Sequence, residues 1–548
     1  MKRHVLFGLV AVGACLMTVT VACSSSDEAT PKTQGDAGST GAETGPDPQD
    51  ECANAPPPAP KGDCTNTKCS AQLGEPATCV NNQCVKLKSD LCPNVLGAAD
   101  DDDAIFFGTL LSLTGANASS GLNRQNSVQL AVDEINNAGG IPSADKCAKP
   151  RKLAFVGCDD QPDEVKAANH LTTDLGFAAV IGAGTSGKTV NAATKSTIPA
   201  KALLFAPSST AISITGLAAS PDGVRLVWRA APSDVIQSKA MELVIGELAG
   251  KVTGTVKLAI ISKSDAYGVG LDSELRKNLK FNGAGYDDPA NASNRLTQCF
   301  NPSPAAGQQP TSTDACPVDK TTAAAVTALK GLQPDIIVLN GTAEAITEIL
   351  VPYEASAEGQ AKKPLYMIPD GPRKTELITA VTASPELRTR IRGTVPGTLT
   401  TLGQDFFSYR YTAAHPDNPQ LVFGMAGSYD ATYMIAYSIA SGGGKQPITG
   451  TSIASGFTKL IAKGSTSLDV GPAKINTGFS TLVSGGSVDF NGASGPLDFN
   501  PQTGEADSDF TVWCISNDPN TNKPYFNDAT SQSYDATAKA LKGTFICP

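Results

Sequence analysis

The stretch GAGTSGKT, Gly182 to Thr189, follows the apolar run FAAVI and matches the spacing G-x-x-x-x-G-K-T. In a nucleotide-hydrolysing enzyme such a loop cradles phosphates with its backbone, places the lysine on the outer phosphates and sets the Thr on magnesium. That chemistry also needs an acidic residue after a downstream strand to hold the metal. The strands FAAVIG, ALLFA and VKLAIIS end in no such Asp, and KLAFVGCDD precedes the loop. The nucleotide-binder reading therefore stays a remote alternative. What remains is physical: a helix starting near Gly187 points unpaired N–H groups and a positive dipole end at the loop, which favours an anion of any kind. Ser186 adds a hydroxyl, and the next strand ends in APSSTAISIT, placing Ser208, Ser209 and Thr210 beside it. Those hydroxyls suit a small carboxylate; they equally suit caps and turns.

Other chemistry is thinly represented. The chain has only three histidines, His4, His170 and His415, and no G-x-S-x-G nucleophile elbow. Asp159 and Asp160 are adjacent, so on a strand end they diverge rather than act as an acid–base pair. We expect no enzyme, no catalytic residue, no metal and no cofactor.

The elements that position these groups begin after an export region. Lys2 and Arg3 followed by Val5 to Ala22 read as a signal peptide over residues 1–22. Thr20-Val21-Ala22-Cys23 resembles the lipobox of bacterial lipoproteins, which makes Cys23 the lipidated, palmitate-bearing N-terminus; Val12 to Cys15 is a second partial match. Residues 23–50 are polar and rich in Gly, Pro, Ser and Thr, a flexible tether from the membrane.

Leaving Cys15 and Cys23 aside, twelve cysteines remain, an even number that fits an oxidising compartment. Cys52, Cys64, Cys69, Cys79, Cys84 and Cys92 crowd into residues 51–95, which we read as a disulfide-held module. Zinc knuckles use tighter spacing. The others fall as Cys147/Cys158, Cys299/Cys316 and Cys514/Cys547, candidate local staples. Residues 96–103 carry the acidic run Asp100 to Asp103 and read as a linker. A net charge of −10 and a pI near 5.0 argue against nucleic acid.

From Ala104 onward, short apolar runs alternate with amphipathic helices in β-α-β-α-β order, and a second set of the same kind starts near Ala231. The fold class is α/β: two doubly wound parallel-sheet lobes, with ligands expected at the carboxyl ends of strands. We place the first lobe at 104–230 and 396–495. The second takes 231–395, with an irregular stapled insertion at 283–319, and 496–548.

From roughly Ile105 to Ile515 the chain resembles the periplasmic substrate-binding proteins of branched-chain amino acid (leucine/isoleucine/valine) ABC transporters. GTLLSLTGANASSGLNRQNSVQLAVDEINNAGGI, FAAVIGAGTSGKTVNAAT, LLFAPSSTAISIT, LVWRAAPSD with Gln237, AIISKSDAYGVGL, PDIIVLNG, YMIPDG, GSYDATYMIAYSIASG and GPLDFNPQTGEA follow that family's order. The resemblance implies a type I periplasmic-binding fold, a Venus-flytrap whose lobes are joined by a three-strand hinge and close on a ligand. It implies that Ser186 and Thr210, with backbone help at Ser208, hold a ligand carboxylate. Tyr267 closes over the ligand and Asp370 takes its ammonium. It further implies an ABC transporter permease as partner. Ser120 stands where many relatives have an aromatic residue and Thr342 where many have tyrosine, so leucine specificity does not carry over; an amide, urea or aromatic acid stays open as ligand. A receptor signalling to a partner would use the same cleft.

Overall fold

The computed structural model describes residues 52, 62, 64–301, 321–397, 402–417, 421–444 and 447–547. The signal peptide, Cys23, the tether and Cys316 lie outside them. No helix among the described residues is long and apolar enough to cross a membrane.

The first lobe is built on an eight-stranded sheet. Ile105–Leu111 lies between Leu153–Asp159 and Ala179–Gly182, followed by Leu203–Ala206 and Val227–Arg229, all parallel. These strands read as unbroken apolar runs because helices cover both faces. One face packs on the long helices Ala118–Asn137 and Met425–Ser441, around Phe107, Phe155, Tyr433 and Tyr437. The other carries Leu110, Val156, Leu171 and Val180.

The second lobe holds a nine-stranded sheet. Arg295–Phe300, Leu258–Lys263, Ile336–Asn340, Leu365–Ile368 and Ile391–Pro396 run parallel in that order, and Phe510–Asn517 joins antiparallel. Helices Asp234–Ala249 and Ala266–Asn278 cover one face. Thr322–Leu332 and Thr375–Ala383 cover the other. Chain crossings follow Arg229, Gly397 and Ala506, and the last two lie side by side, with Gly397 N–H donating to Asp509 O at 2.8 Å. They form the three-strand hinge of the type I periplasmic-binding fold.

Four expectations change. Phe499–Asn500 and Glu505–Ala506 pair into the first sheet through Arg229, so the chain leaves the first lobe later than residue 496. Arg295–Phe300, read as part of an irregular insertion, is an edge strand; its polar alternation RLTQCF hides it. Cys158 pairs with Cys92, not Cys147, which is oxidised to another partner. Cys158 sits near the end of Leu153–Asp159, the strand next to the sheet edge, and the segment that follows Cys92 lies along that edge.

That segment spans the end of the expected module and the start of the expected linker: Asn94–Gly97 runs antiparallel along Leu153–Asp159 and closes the sheet edge. The acidic run is tied down as well, since Asp102 Oδ1 accepts from Thr67 N–H at 2.8 Å and Asp101 O from Asn66 at 2.9 Å. Within the module, a short helix and a hairpin are held by Cys64–Cys79 and Cys69–Cys84. The sulfurs of Cys64, Cys69 and Cys84 lie within 4.8 Å of one another because these two disulfides are neighbours. Cys514–Cys547 closes as expected, and Cys299 is oxidised.

Because Cys92–Cys158 closes a 66-residue separation, replacing both cysteines by alanine lowers stability by about 2–5 kcal/mol. Guanidinium unfolding monitors this; an unchanged midpoint would show that this crosslink adds nothing to the stability of the first lobe.

Candidate ligand-binding site

Loops at the carboxyl ends of the strands meet between the lobes. In the first lobe, the turn after Ile105–Leu111 leads into helix Ala118–Asn137, which approaches so closely that a Cβ on Gly121 would lie 1.8 Å from Ser112 O. That approach carries Ser120 and, one turn on, Arg124 into the cleft. The loop after Ala179–Gly182 brings Ser186, at the start of helix Ser186–Ala192, and the loop after Leu203–Ala206 brings Ser208 and Thr210. From the second lobe come Tyr267, on the helix capped by Asp265, Thr342 after Ile336–Asn340, and Asp370 with Lys374 after Leu365–Ile368. All seven residues anticipated from the sequence, Ser120, Ser186, Ser208, Thr210, Tyr267, Thr342 and Asp370, line one cavity of about 40 Å³.

Asp160 organises the first-lobe wall. It is wholly buried and accepts from Ser112 Oγ at 2.8 Å and Gly184 N–H at 2.8 Å. Gly184 must be glycine here, since a Cβ would sit 2.7 Å from Asp160 Oδ2. Lys188, the signature lysine of the phosphate-loop pattern and expected at the surface, turns inward to Asp160 Oδ1 at 3.1 Å. A lysine committed to a buried carboxylate beneath the loop is not presented to a phosphate above it.

The hydroxyls differ in their freedom. Ser186 Oγ accepts from Ala211 N–H at 3.3 Å. Ser208 Oγ is buried with no hydrogen-bond partner, and Thr210 Oγ1 has none of good geometry, lying beside the Asp234 carboxyl, which it helps to hold charged. Unpartnered buried hydroxyls are costly, and in a cleft they point to a missing polar partner. Asp234 is raised well above the usual carboxylate range by burial, with Asp370 adding to the rise.

On the second-lobe side Tyr267 Oη donates to Asp370 Oδ1 at 3.1 Å and accepts from Gly371 N–H at 3.1 Å. Burial raises the Asp370 carboxyl, while Gln237 and Tyr267 pull it back. Thr342 belongs to a separate cluster, with Lys263 paired to Glu344 at 2.8 Å and Thr342 Oγ1 donating to Glu344 at 2.6 Å.

Two cations escaped the sequence reading. Arg124 Nη1 donates to Gly184 O at 2.9 Å, and its Nε and Nη2 donate to Phe423 O at 3.1 and 2.9 Å. Burial pushes it down to about 10, with Asp160 and Asp370 opposing. Lys374 Nζ reaches across the cleft to Ser120 Oγ at 2.9 Å, and burial followed by Arg124 pushes it down to about 7. The signal was present: Arg124 follows Ser120 by four residues, and Lys374 follows Asp370 by four.

No family model matches the chain, and no curated protein matches it. Solved structures do match in fold. The branched-chain amino acid transporter substrate-binding protein LivJ from Streptococcus pneumoniae, in complex with isoleucine, is 20% identical with a TM-score of 0.54, over 75% of this chain and 96% of that one. A leucine-binding protein LivK from Thermotoga maritima is 16% identical with a TM-score of 0.52, over 80% and 99%. A solute-binding protein of an ABC transporter from R. palustris, in complex with benzoate, is 16% identical with a TM-score of 0.51, over 78% and 96%. The chain thus has the type I periplasmic-binding fold of these solute-binding proteins, with a cysteine-rich module ahead of it.

Proposed function

We infer that this is an extracytoplasmic solute-binding protein that captures a small amino-acid-like ligand between its lobes and delivers it to an ABC transporter permease. The observation that carries the reading is the pair of buried hydroxyls without a hydrogen bond of good geometry, Ser208 Oγ and Thr210 Oγ1, in the same cavity as Arg124 and Asp370. Hydroxyls and a guanidinium take a carboxylate, and a carboxylate takes an ammonium. Closure of the lobes excludes water and strengthens both contacts. Binding rather than catalysis is the role, and Ser186, Tyr267, Ser120 and Thr342 complete the walls.

An aromatic acid, such as the benzoate held by the R. palustris protein, would use the same hydroxyls but leave buried Asp370 unanswered. Asp370 therefore favours a ligand with an amine. Export with a lipid on Cys23 rests on the N-terminal pattern, and the disulfides fit an oxidising compartment. Isothermal titration of the folded protein with the common α-amino acids, benzoate and urea tests the reading. Saturable heat with at least one amino acid is expected; binding of benzoate or urea alone would overturn it.

A further inference from the structure

The charges that face the cavity specify more than an amino acid. Several ions of the cleft are answered inside the protein: Lys263 by Glu344 at 2.8 Å and Asp265 at 3.6 Å, and Arg373 by Asp528 at 2.5 Å. Asp265 Oδ1 also caps its own helix, accepting from Gly268 N–H at 2.9 Å. Arg124, Lys374 and Asp370 are different. Of the five N–H groups of a guanidinium, Arg124 uses three, on Gly184 O and Phe423 O. Lys374 Nζ gives one hydrogen to Ser120 Oγ, and among the described residues it closes no ion pair; Glu376, Glu344 and Asp370 act on it only from a distance. Both residues are buried, at 6% exposure each. Asp370 is held by the Tyr267 hydroxyl at Oδ1, with Gln237 close by, and both are neutral groups that leave its charge unanswered.

Two cations and one anion around one cavity are complemented by two anions and one cation. Resting on the amino-acid reading above, we propose that the ligand is an acidic α-amino acid. Arg124 with Ser208 and Thr210 receives its α-carboxylate, Asp370 its ammonium, and Lys374 with Ser120 its side-chain carboxylate. A leucine-like side chain in that place would leave Lys374 buried without a counter-ion, so the lysine would either stay charged at a cost or give up its proton, whereas an acidic side chain holds it as the ammonium. Selection against neutral amino acids is thus built into the site by an unpaired charge. Ser120 serves the same end: an aromatic side chain there would close off the space into which Lys374 reaches.

Isothermal titration of the full folded chain with L-glutamate, L-aspartate, L-leucine and succinate tests this, using the wild type, Lys374→Met and Lys374→Gln. In the wild type an acidic amino acid binds at least about tenfold more tightly than leucine. Lys374→Met weakens that ligand by about 30-fold or more and leaves leucine unchanged or tighter, so the preference inverts; Lys374→Gln falls between. Thermal melting confirms that both variants fold. Leucine binding as tightly as glutamate and aspartate to the wild type would overturn the proposal while leaving the amino-acid reading intact. So would an equal loss for all ligands in Lys374→Met. Succinate binding more tightly than either acidic amino acid would overturn the ammonium contact. Failure of every amino acid would instead remove the underlying reading, and the proposal with it.

Discussion

Replacing Asp370 by asparagine weakens an amino-acid ligand by about 2–5 kcal/mol while the empty protein melts at the same or a higher temperature. The two effects have one cause. Asp370 is 4% exposed, and burial raises its carboxyl despite help from Gln237, Tyr267 and Lys374. In the empty protein an amide of the same shape removes that desolvation cost and still accepts from Tyr267. With ligand present, the carboxylate answers an ammonium inside a closed cleft, where the pair is poorly screened. The amide leaves the ammonium buried without a counter-ion. Ser186→Ala costs less, because Ser186 Oγ is partly engaged with Ala211 N–H and neutral contacts are weaker. Titration beside a thermal melt reads both quantities. A parallel fall in affinity and melting temperature would make Asp370 a structural residue.

Arg124→Met has the second large effect, and it strikes binding and stability together. The guanidinium ties helix Ala118–Asn137 to the loop at Gly184 and to Phe423, near the return from the second lobe. Methionine fills much of the volume but leaves the buried Gly184 carbonyl without this donor, at about 1–3 kcal/mol, and the part-buried Phe423 carbonyl at less. Affinity for the ligand falls by about 100-fold or more through loss of the buried cation. Arg124→Lys separates the two roles. It keeps a charge near the carboxylate, so part of the affinity returns, but a compact ammonium does not span both carbonyls as the planar fork does. Denaturant unfolding should therefore place Arg124→Lys near Arg124→Met in stability and between wild type and Arg124→Met in affinity. Full recovery of stability in Arg124→Lys would show that the carbonyl contacts are unimportant.

The two-lobed architecture was legible in the sequence because parallel strands covered on both faces are written as plain apolar runs. FFGTLL, LAFVG, AVIG and LLFA all became strands of one sheet. The elements that were hidden are those at edges. Arg295–Phe300 and Asn94–Gly97 have one neighbour each and are mostly only partly buried, so neither reads as a continuous apolar run. The Cys92–Cys158 pairing depends on where an edge strand lies, which spacing along the chain does not encode. For the site, the hydroxyl-bearing loops and Asp370 were legible through their order after successive strands. Arg124 and Lys374 were passed over although each stands four residues after a recognised site residue, because a cation on a helix or just before one reads as solvated until burial is known. Lys188 misled in the opposite direction: its place in GAGTSGKT advertised a phosphate ligand, and its partner is Asp160.

The most direct measurement is a crystal structure of the protein saturated with the amino acid that titrates. The account predicts one molecule between the lobes, its α-carboxylate within hydrogen-bond distance of Ser208 Oγ, Thr210 Oγ1 and Arg124, and its ammonium on Asp370. A ligand seated outside this cleft, or one turned so that its carboxylate faces Asp370, would contradict it.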